Sequence, residues 1–469
     1  MASKIKIVVV GLGVGGLVAA TRLMDDSYNN GLDCDVTILE RRSQSDVVHD
    51  WHDRFDFQSL RSALGIDVMH GGDGSIEDRA DSAFVSPSKR TSIKVHYSAA
   101  NRPKVIWRPY LHKVMVDNAV AKGVRIVYDT EVLRPAYQEV QAVDSHVQRM
   151  CGVFAASKGG AVEKFYEADL VIDASGALSA LRRSLPPDWG IEALPRPGDM
   201  FYAYRAYHRI VGSVPDLQAP FEVYLIHEGE QGLSWLSTTA KAVDVLIGRI
   251  YPIDDSKVAE QLDIFKQSHP WLDMARLDGK KAEYALIPVR RPLAKMVGYG
   301  YAAVGDSAFM TLPMNGMGID LSIKAGVLLS DYIAKAGVGI DALWAYNRAY
   351  LQQGGALAAK NEGLKNALLN LPKEGVDFLF DNAVIESADL AGGGKNTSLV
   401  SLCKKLLRGL RRPRYFFAVI RGLIRGGRNM RLLSAPPKRF EPVAIAKWAA
   451  KIDKNVVRVA CRDRDDPGK

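Results

Sequence analysis

The sequence predicts an α/β fold: a helix-flanked, mainly parallel sheet, interleaved with a mainly antiparallel β-sheet domain and followed by a helical C-terminal region. Three observations predict it. The first forty residues read strand, glycine-rich turn, helix, strand, in that order. Runs near residues 170 and 302 are short, wholly apolar and end in polar turns, as strands buried on both faces do. Residues 200–250 alternate in polarity without intervening helices, which is the pattern of antiparallel strands. A chain of 469 residues with 47% hydrophobic and 25% charged residues has the make-up of a soluble protein of two or three domains or one large interleaved unit.

Lys4 to Val10 is β-branched and reads as a buried strand. It breaks into Gly11-Leu12-Gly13-Val14-Gly15-Gly16 and resumes as a helix, Leu17 to Leu23. A second strand, Cys34 to Leu39, ends on Glu40, with Arg41 next. This is a dinucleotide fingerprint in its full context. Gly11 makes the tight turn, Gly13 lets a pyrophosphate approach, and Gly16 lets the helix lie close on the strand. The helix N-terminus offers free N–H groups to phosphate, and Glu40 offers a carboxylate to ribose hydroxyls.

A dense cluster follows: His49, Asp50, Trp51, His52, Asp53, Arg54, Phe55 and Asp56. Residues 58–105 are loop-rich with short strands and contain Gly71-Gly72-Asp73-Gly74. Trp107-Arg108-Pro109 opens a helix, with proline tolerated in the first turn and Gly123 at its end. A strand at 124–128 and a β-meander over 135–168 come next. The run 168–173 is a strand that enters Ala174-Ser175-Gly176 and a short helix after Ser179. Residues 200–290 are strands interrupted by a helix near 256–268. A late strand ends in Gly305-Asp306, followed by Pro313 to Gly318 and a helix, Ile319 to Ala334. Helices fill 340–382, and 391–396 is a glycine-rich linker. The expected domains are 1–75 with 104–185 and 290–335; 76–103 with 186–289; and 336–469.

The net charge of +9 is unevenly placed. Residues 404–431 hold ten Lys or Arg and no acid, so the rest of the chain is close to neutral. This segment has two readings: a basic amphipathic surface for an anionic membrane, or a helical hairpin on the catalytic body with solvated arginines. No recognition module accompanies the charge, so nucleic acid is not an expected partner. Cys34, Cys151, Cys403 and Cys461 form no CxxC and no His-containing metal pattern, which suits reduced thiols. The chain opens on a strand almost at once and has no bilayer-length apolar run, which predicts a cytoplasmic protein.

Four separated pieces together resemble the FAD-dependent oxidoreductases of the p-hydroxybenzoate hydroxylase superfamily, and within it the geranylgeranyl reductase branch. They are Gly11-x-Gly13-x-x-Gly16 with Glu40; Arg108; Asp173-Ala174-Ser175-Gly176 with Ser179 and Arg182-Arg183; and Gly305-Asp306 with Pro313 and Gly316-Met317-Gly318. The resemblance implies a Rossmann-type FAD-binding domain. It implies that Asp306 accepts from a ribityl hydroxyl and that Gly316, Met317 and Gly318 present a helix N-terminus to the flavin N1/C2=O edge. It also implies that Arg108 holds the ribityl or phosphate region, that Val132 meets adenine through its backbone, and that Asp173 and Gly176 belong to the cofactor site. No second Gly-x-Gly-x-x-Gly follows a strand, so electrons would come from transiently bound NAD(P)H or a carrier protein.

The expected activity is reduction of a carbon–carbon double bond in an apolar, isoprenoid-like or lipid substrate. Alternatives are an FAD monooxygenase and a non-redox cyclase of the lycopene-cyclase type. His52 or His49 is the expected proton donor near neutral pH, oriented by Asp50 or Asp53. Trp51, Tyr202, Tyr204 and Trp235 are the expected substrate contacts. Trp235 stands where the reductase branch carries a Tyr-x-Trp-x-Phe-Pro region. The expected flavin accounts for this polar loop, and no metal is assigned.

Overall fold

The computed structural model describes residues 4–69, 75–99, 102–141, 146–160, 162–215, 219–239, 241–387 and 405–461. The Gly71–Gly74 turn, the 391–396 linker, Cys403 and Lys404 lie outside them.

The first sheet has six strands in the order Val297–Gly298, Tyr301–Ala303, Leu170–Asp173, Ile5–Val10, Cys34–Leu39, Arg125–Val127. All neighbours are parallel except the first pair. Ile7, Val9, Ile38, Leu170, Val171, Ile172, Tyr301 and Ala302 are 0–1% exposed, so both faces are covered. The helices Val14–Leu23 and Ile319–Ala336 pack on each other at one end of this sheet. The predicted meander is a three-stranded antiparallel sheet, Thr130–Gln141, His146–Ser157 and Lys164–Glu167.

The second large sheet has eight strands, built around Met200–Ile210, Val243–Arg249, Gly232–Thr238 and Phe221–Leu225. It is antiparallel apart from the pairing of Phe221–Leu225 with Ser82–Val85. The helix Asp255–Ser268 covers one face, burying Phe265 against Tyr204, Val245 and Ile247. Between the two large sheets lies a small one, His52–Arg54, Lys104–Trp107 and Ile76–Asp78. The boundary expected between 75 and 76 therefore falls inside a sheet, because Ile76–Asp78 pairs with Lys104–Trp107.

The C-terminal helices are not an appended unit. Trp344, Tyr346 and Tyr350 of Ile340–Tyr350, Leu433 of Pro413–Ser434, and Trp448 and Ile452 of Pro442–Lys454 share the core of the first sheet. The helix Pro413–Ser434 crosses Ala356–Leu369 at glycines: a Cβ on Gly422 would sit 2.5 Å from Ala367 Cβ and 2.5 Å from the Gly363 carbonyl oxygen. This close approach uses up the helix's small-residue face and leaves its basic face outward.

Candidate functional site

The glycine turn is cut to fit its neighbours. Gly11 has φ +90°, and a Cβ there would lie 2.7 Å from the Ala174 carbonyl oxygen. A Cβ on Gly16 would meet Ala174 Cβ at 2.7 Å and Val9 Cγ1 at 2.9 Å. Glu40 is 7% exposed and braces the loop: its Oε2 accepts from Leu12 N at 2.8 Å and its Oε1 from Arg42 N at 2.9 Å. Each oxygen keeps a second lone pair for a ribose hydroxyl.

The helix Val14–Leu23 starts at Gly13 and Ile319–Ala336 starts at Gly318, and neither has a side-chain cap. The two helices touch through Gly326, where a Cβ would lie 2.5 Å from the Gly15 carbonyl oxygen. Both N-termini line one cavity of about 980 Å³. Two adjacent, uncapped helix starts are two places for negative charge. They fit FAD, whose pyrophosphate would use the first and whose N1/C2=O edge would use the second. Asp306 lines the same wall and accepts from the Thr311 hydroxyl at 2.9 Å. Burial pushes its carboxyl up, against Thr311 and Arg108.

Arg108 lines this cavity too, and its Nε donates to the Asp53 carboxylate. Gly176 is on the wall; Asp173 is not. The buried Asp173 carboxylate is filled from inside the protein, by Ser175 N (3.1 Å), Ser175 Oγ (2.6 Å), Ser179 Oγ (2.5 Å) and Tyr301 OH (2.9 Å). It shapes the turn instead of meeting the cofactor. Arg41 is exposed, and Val132 sits half-buried on the meander. Neither is part of the cavity wall.

The His49–Asp56 cluster meets the second sheet here. The His49 ring stacks on Trp51 at 4.1 Å and 18°. His49 Nδ1 pairs with Glu283 Oε2 at 2.5 Å, and Glu283 Oε1 accepts from Asp50 N at 2.7 Å. His52 Nδ1 lies 3.2 Å from the Tyr207 hydroxyl, and His52 Nε2 is 3.9 Å from Glu77. Burial is the largest influence on both imidazoles and lowers both, so they are neutral at pH 7. Arg205 makes a two-toothed pair with Asp244 (2.9 and 2.7 Å) and donates to the His52 carbonyl at 3.0 Å. Its guanidinium lies 4.9 Å from the Trp51 ring and 5.5 Å from the Trp235 ring.

Three expectations need correction. Asp50 and Asp53 do not orient the histidines. Lys280 takes Asp50 at 2.7 and 2.8 Å, with Trp107 Nε1 at 2.8 Å, and Arg108 takes Asp53, because a full cation outcompetes a neutral imidazole. Glu283 and Glu77 are the carboxylates beside His49 and His52. Tyr202 and Tyr204 do not face the cavity. Side chains alternate along a strand, so Met200–Ile210 presents Phe201, Ala203, Arg205 and Tyr207 to it, while Tyr204 packs into the core on the other face. Trp51 and Trp235 are on the wall. Asp173, as above, is internal. Tyr207, Arg79, Arg205 and Glu283 were missed. Arg205 was the available signal: a cation in an apolar, alternating strand marks the face that meets polar partners.

The paired helix starts, the glycine turn and the Gly305–Gly318 turn define a flavin-dinucleotide-binding oxidoreductase fold. The chain belongs to the FAD binding domain family, which it matches over residues 4–343. It is 22% identical over 364 residues to the digeranylgeranylglycerophospholipid reductase of Sulfolobus acidocaldarius, a match covering 74% of this chain and 76% of that protein. A geranylgeranyl bacteriochlorophyll reductase-like structure from Thermoplasma acidophilum aligns at TM-score 0.67 and 18% identity, over 90% of this chain and 100% of that one. A probable FAD-dependent monooxygenase from Pseudomonas aeruginosa aligns at TM-score 0.54 and 14% identity, over 81% of this chain and 100% of that one. The chain is thus an FAD-dependent oxidoreductase, on a fold it shares with a geranylgeranyl reductase-like protein and with a monooxygenase. Among the described residues no helix is long and apolar enough to cross a membrane.

Proposed function

We propose that the protein reduces a carbon–carbon double bond of an apolar, isoprenoid-like substrate. The carrying observation is the wall of the cavity. From the turn Leu312–Gly318 it continues along Leu233, Leu246 and Ile287 of the second sheet to Leu368, Val376 and Ile385 of the C-terminal region. An apolar wall of that extent matches a long hydrocarbon better than a small aromatic ring. FAD, when reduced, supplies hydride; NAD(P)H or a carrier protein supplies the electrons.

The protein's own task is to hold the alkene and deliver a proton. Tyr207 is the donor in this reading. Its hydroxyl is on the wall, and burial first, then Asp244, raises its pKa well above the ordinary value, so it stays protonated at pH 7. His52 Nδ1, 3.2 Å from that hydroxyl, relays a replacement proton to it. His49 positions the Trp51 ring through its stack and its bond to Glu283. Tyr207→Phe is expected to slow substrate-driven reoxidation of reduced enzyme about 100-fold, within the range for general acid catalysis, with FAD content unchanged. An unaltered rate would remove Tyr207 from the chemistry.

The reaction type is tested by reducing the holoenzyme anaerobically and adding geranylgeraniol. Reoxidation with a product gaining two hydrogens supports reduction. Turnover only with oxygen, giving a product with one added oxygen atom, would establish a monooxygenase. Product formed while the flavin redox state stays constant would establish a cyclase or isomerase.

The basic helix supports contact with an anionic membrane. Its outward stripe reads Phe417, Arg421, Ile424, Arg428, Arg431, at helical spacing of four and three. Phe417 is 55% exposed and Ile424 51%, and these arginines have no acidic partner among the described residues. Arginine stems can lie along the interface while their heads reach lipid phosphates. On its inner side the helix packs on Ala356–Leu369, whose Leu368 lines the cavity. The protein is expected to float with phosphatidylglycerol-containing vesicles at low salt and not with phosphatidylcholine alone. Arg421→Glu with Arg428→Glu should abolish flotation. Failure to float with anionic vesicles would leave the solvated-hairpin reading.

A further inference from the structure

We propose that Arg79 is the centre of an anion pocket in the cavity wall, which takes the carboxylate or phosphate head of an amphiphilic substrate. The proposal rests on the substrate reading above for the identity of the tail. The pocket itself is argued from charge and from hydrogen-bonding capacity.

The charges on the polar part of the wall do not cancel. On the wall Asp53 is committed to Arg108, Asp244 to Arg205 and Asp78 to Lys104, and Glu77 lies 3.9 Å from His52 Nε2. Arg54 and Arg79 line the same cavity, and neither has a carboxylate partner among the described residues. Arg79 is the more telling of the two. Its Nε is buried with no hydrogen-bond partner, and its guanidinium lies 4.4 Å from the Phe221 ring centroid. Its backbone is pinned on both sides: Arg79 N donates to the Pro103 carbonyl at 2.8 Å, and its own carbonyl accepts from Arg102 Nη1 at 2.8 Å. Burial lowers its pKa to about 10, with Arg54 and Arg205 adding like charge. A half-buried guanidinium without a counter-ion is incompletely solvated, and an entering anion offsets that.

Neutral donors lie on the same cavity wall. Trp51 Nε1 and Trp235 Nε1 are buried without partners, and both residues line the cavity. Trp51 is only 7% exposed. A continuous stack connects the group. Arg79 lies over Phe221, Phe221 is 5.8 Å from Trp235, Trp235 is 5.5 Å from Arg205, and Arg205 is 4.9 Å from Trp51. A hydrocarbon alone would leave every one of these donors unsatisfied. An oxyanion at Arg79 gives its unpaired Nε–H an acceptor.

The arrangement also orients the ligand. The head sits at Arg79, and the tail runs toward Leu368, Val376 and Ile385.

The test is binding to the FAD-loaded protein, read by calorimetry, with decyl phosphate, decanoate, decanol and inorganic phosphate as probes. Hydrogen bonds to a charged group predict that the anionic amphiphiles bind about 10- to 100-fold more tightly than decanol. Whichever anion binds more tightly names the head. Arg79→Met should erase the preference and leave decanol binding unchanged, while Arg79→Lys should keep part of it. Equal affinity of wild type for decanol and the two anions overturns the pocket. So does a preference that survives Arg79→Met, or inorganic phosphate binding as tightly as decyl phosphate, which would make it a free-anion site. If Arg79→Met does not fold, the wild-type comparison and Arg79→Lys decide. None of these measurements needs turnover. Charge discrimination without alkene-driven reoxidation would sink the reductase reading and keep the pocket.

Discussion

Arg290→Met is expected to lower the unfolding free energy by about 3–5 kcal/mol, the usual cost of stranding buried charge, and to release FAD in milder denaturant than unfolding requires. The Arg290 side chain is 1% exposed. Its Nη1 donates to Glu192 Oε1 at 2.6 Å and Asp199 Oδ2 at 2.9 Å, and its Nη2 donates to Glu192 Oε2 at 2.7 Å. Methionine fills much of the volume but leaves Asp199 without its cation and Glu192 with Arg196 at 3.6 Å. The same guanidinium lies 4.6 Å from the Phe309 ring, with Arg182 at 4.4 Å. Phe309 is fully buried with φ +57° and ends the turn that carries Asp306. Loosening this clamp therefore loosens the flavin end of the cavity.

The same pair has an acid signature. Burial alone would raise the Glu192 carboxyl, but Arg290, with Arg291 and Arg196 behind it, overrides this and brings it to about 2 from an ordinary 4.5. A depressed carboxylate stabilises the fold fully above its unfolded value. That stabilisation is lost as pH falls through the window from 4.5 toward 2. Wild type should lose stability steeply across this window, and Arg290→Met should show a flatter acid limb. Urea titrations at neutral pH and at the foot of the window, read by far-UV circular dichroism and flavin absorbance, check both points. Parallel acid limbs in the two proteins would remove Glu192 from the account.

What was legible in the sequence follows from the range of the interactions involved. The glycine turn announces itself because its needs are local: a sharp turn, a close approach, an uncapped helix start. Its close contact, with Ala174, involves a residue of the Asp173-Ala174-Ser175-Gly176 motif. The polar half of the cavity was not traceable in the same way. Whether Tyr204 or Tyr207 faces the cavity turns on the parity of one strand, and a one-residue step reverses every side chain. The partner of His49 is Glu283, 234 residues away. Asp50 and Asp53 looked like its partners only because they are near in sequence, and Lys280 and Arg108 claim them in space. Arg79 follows a three-residue strand and belongs to no motif; only the absence of a counter-charge around it marks it out. The region after residue 335 reads as separate because none of the four family motifs lies in it, yet Trp344 and Trp448 tie its helices into the first core.

Gly16→Val is expected to yield protein that carries almost no FAD and is destabilised by about 1–3 kcal/mol or more, as overpacked cores are. The first added carbon alone would lie 2.7 Å from Ala174 Cβ and 2.9 Å from Val9 Cγ1. Neither neighbour can yield cheaply. Val9 is wholly buried on the central strand. Ala174 follows Asp173, whose carboxylate is held by Ser175, Ser179 and Tyr301. The helix Val14–Leu23 must move instead, and its N-terminus moves with it. That motion is opposed at Gly326, which already touches Gly15. Gly176→Ala is the matching control. It has φ +93° but no heavy atom within 4 Å of the new Cβ, so its cost is conformational, about 1–2 kcal/mol. Flavin content after purification and thermal melting of both variants separate the two causes. If Gly176→Ala loses as much FAD as Gly16→Val, backbone strain governs the loop. If only Gly16→Val does, then FAD is held by the distance between helix and sheet, and the glycines of the fingerprint are there to set it.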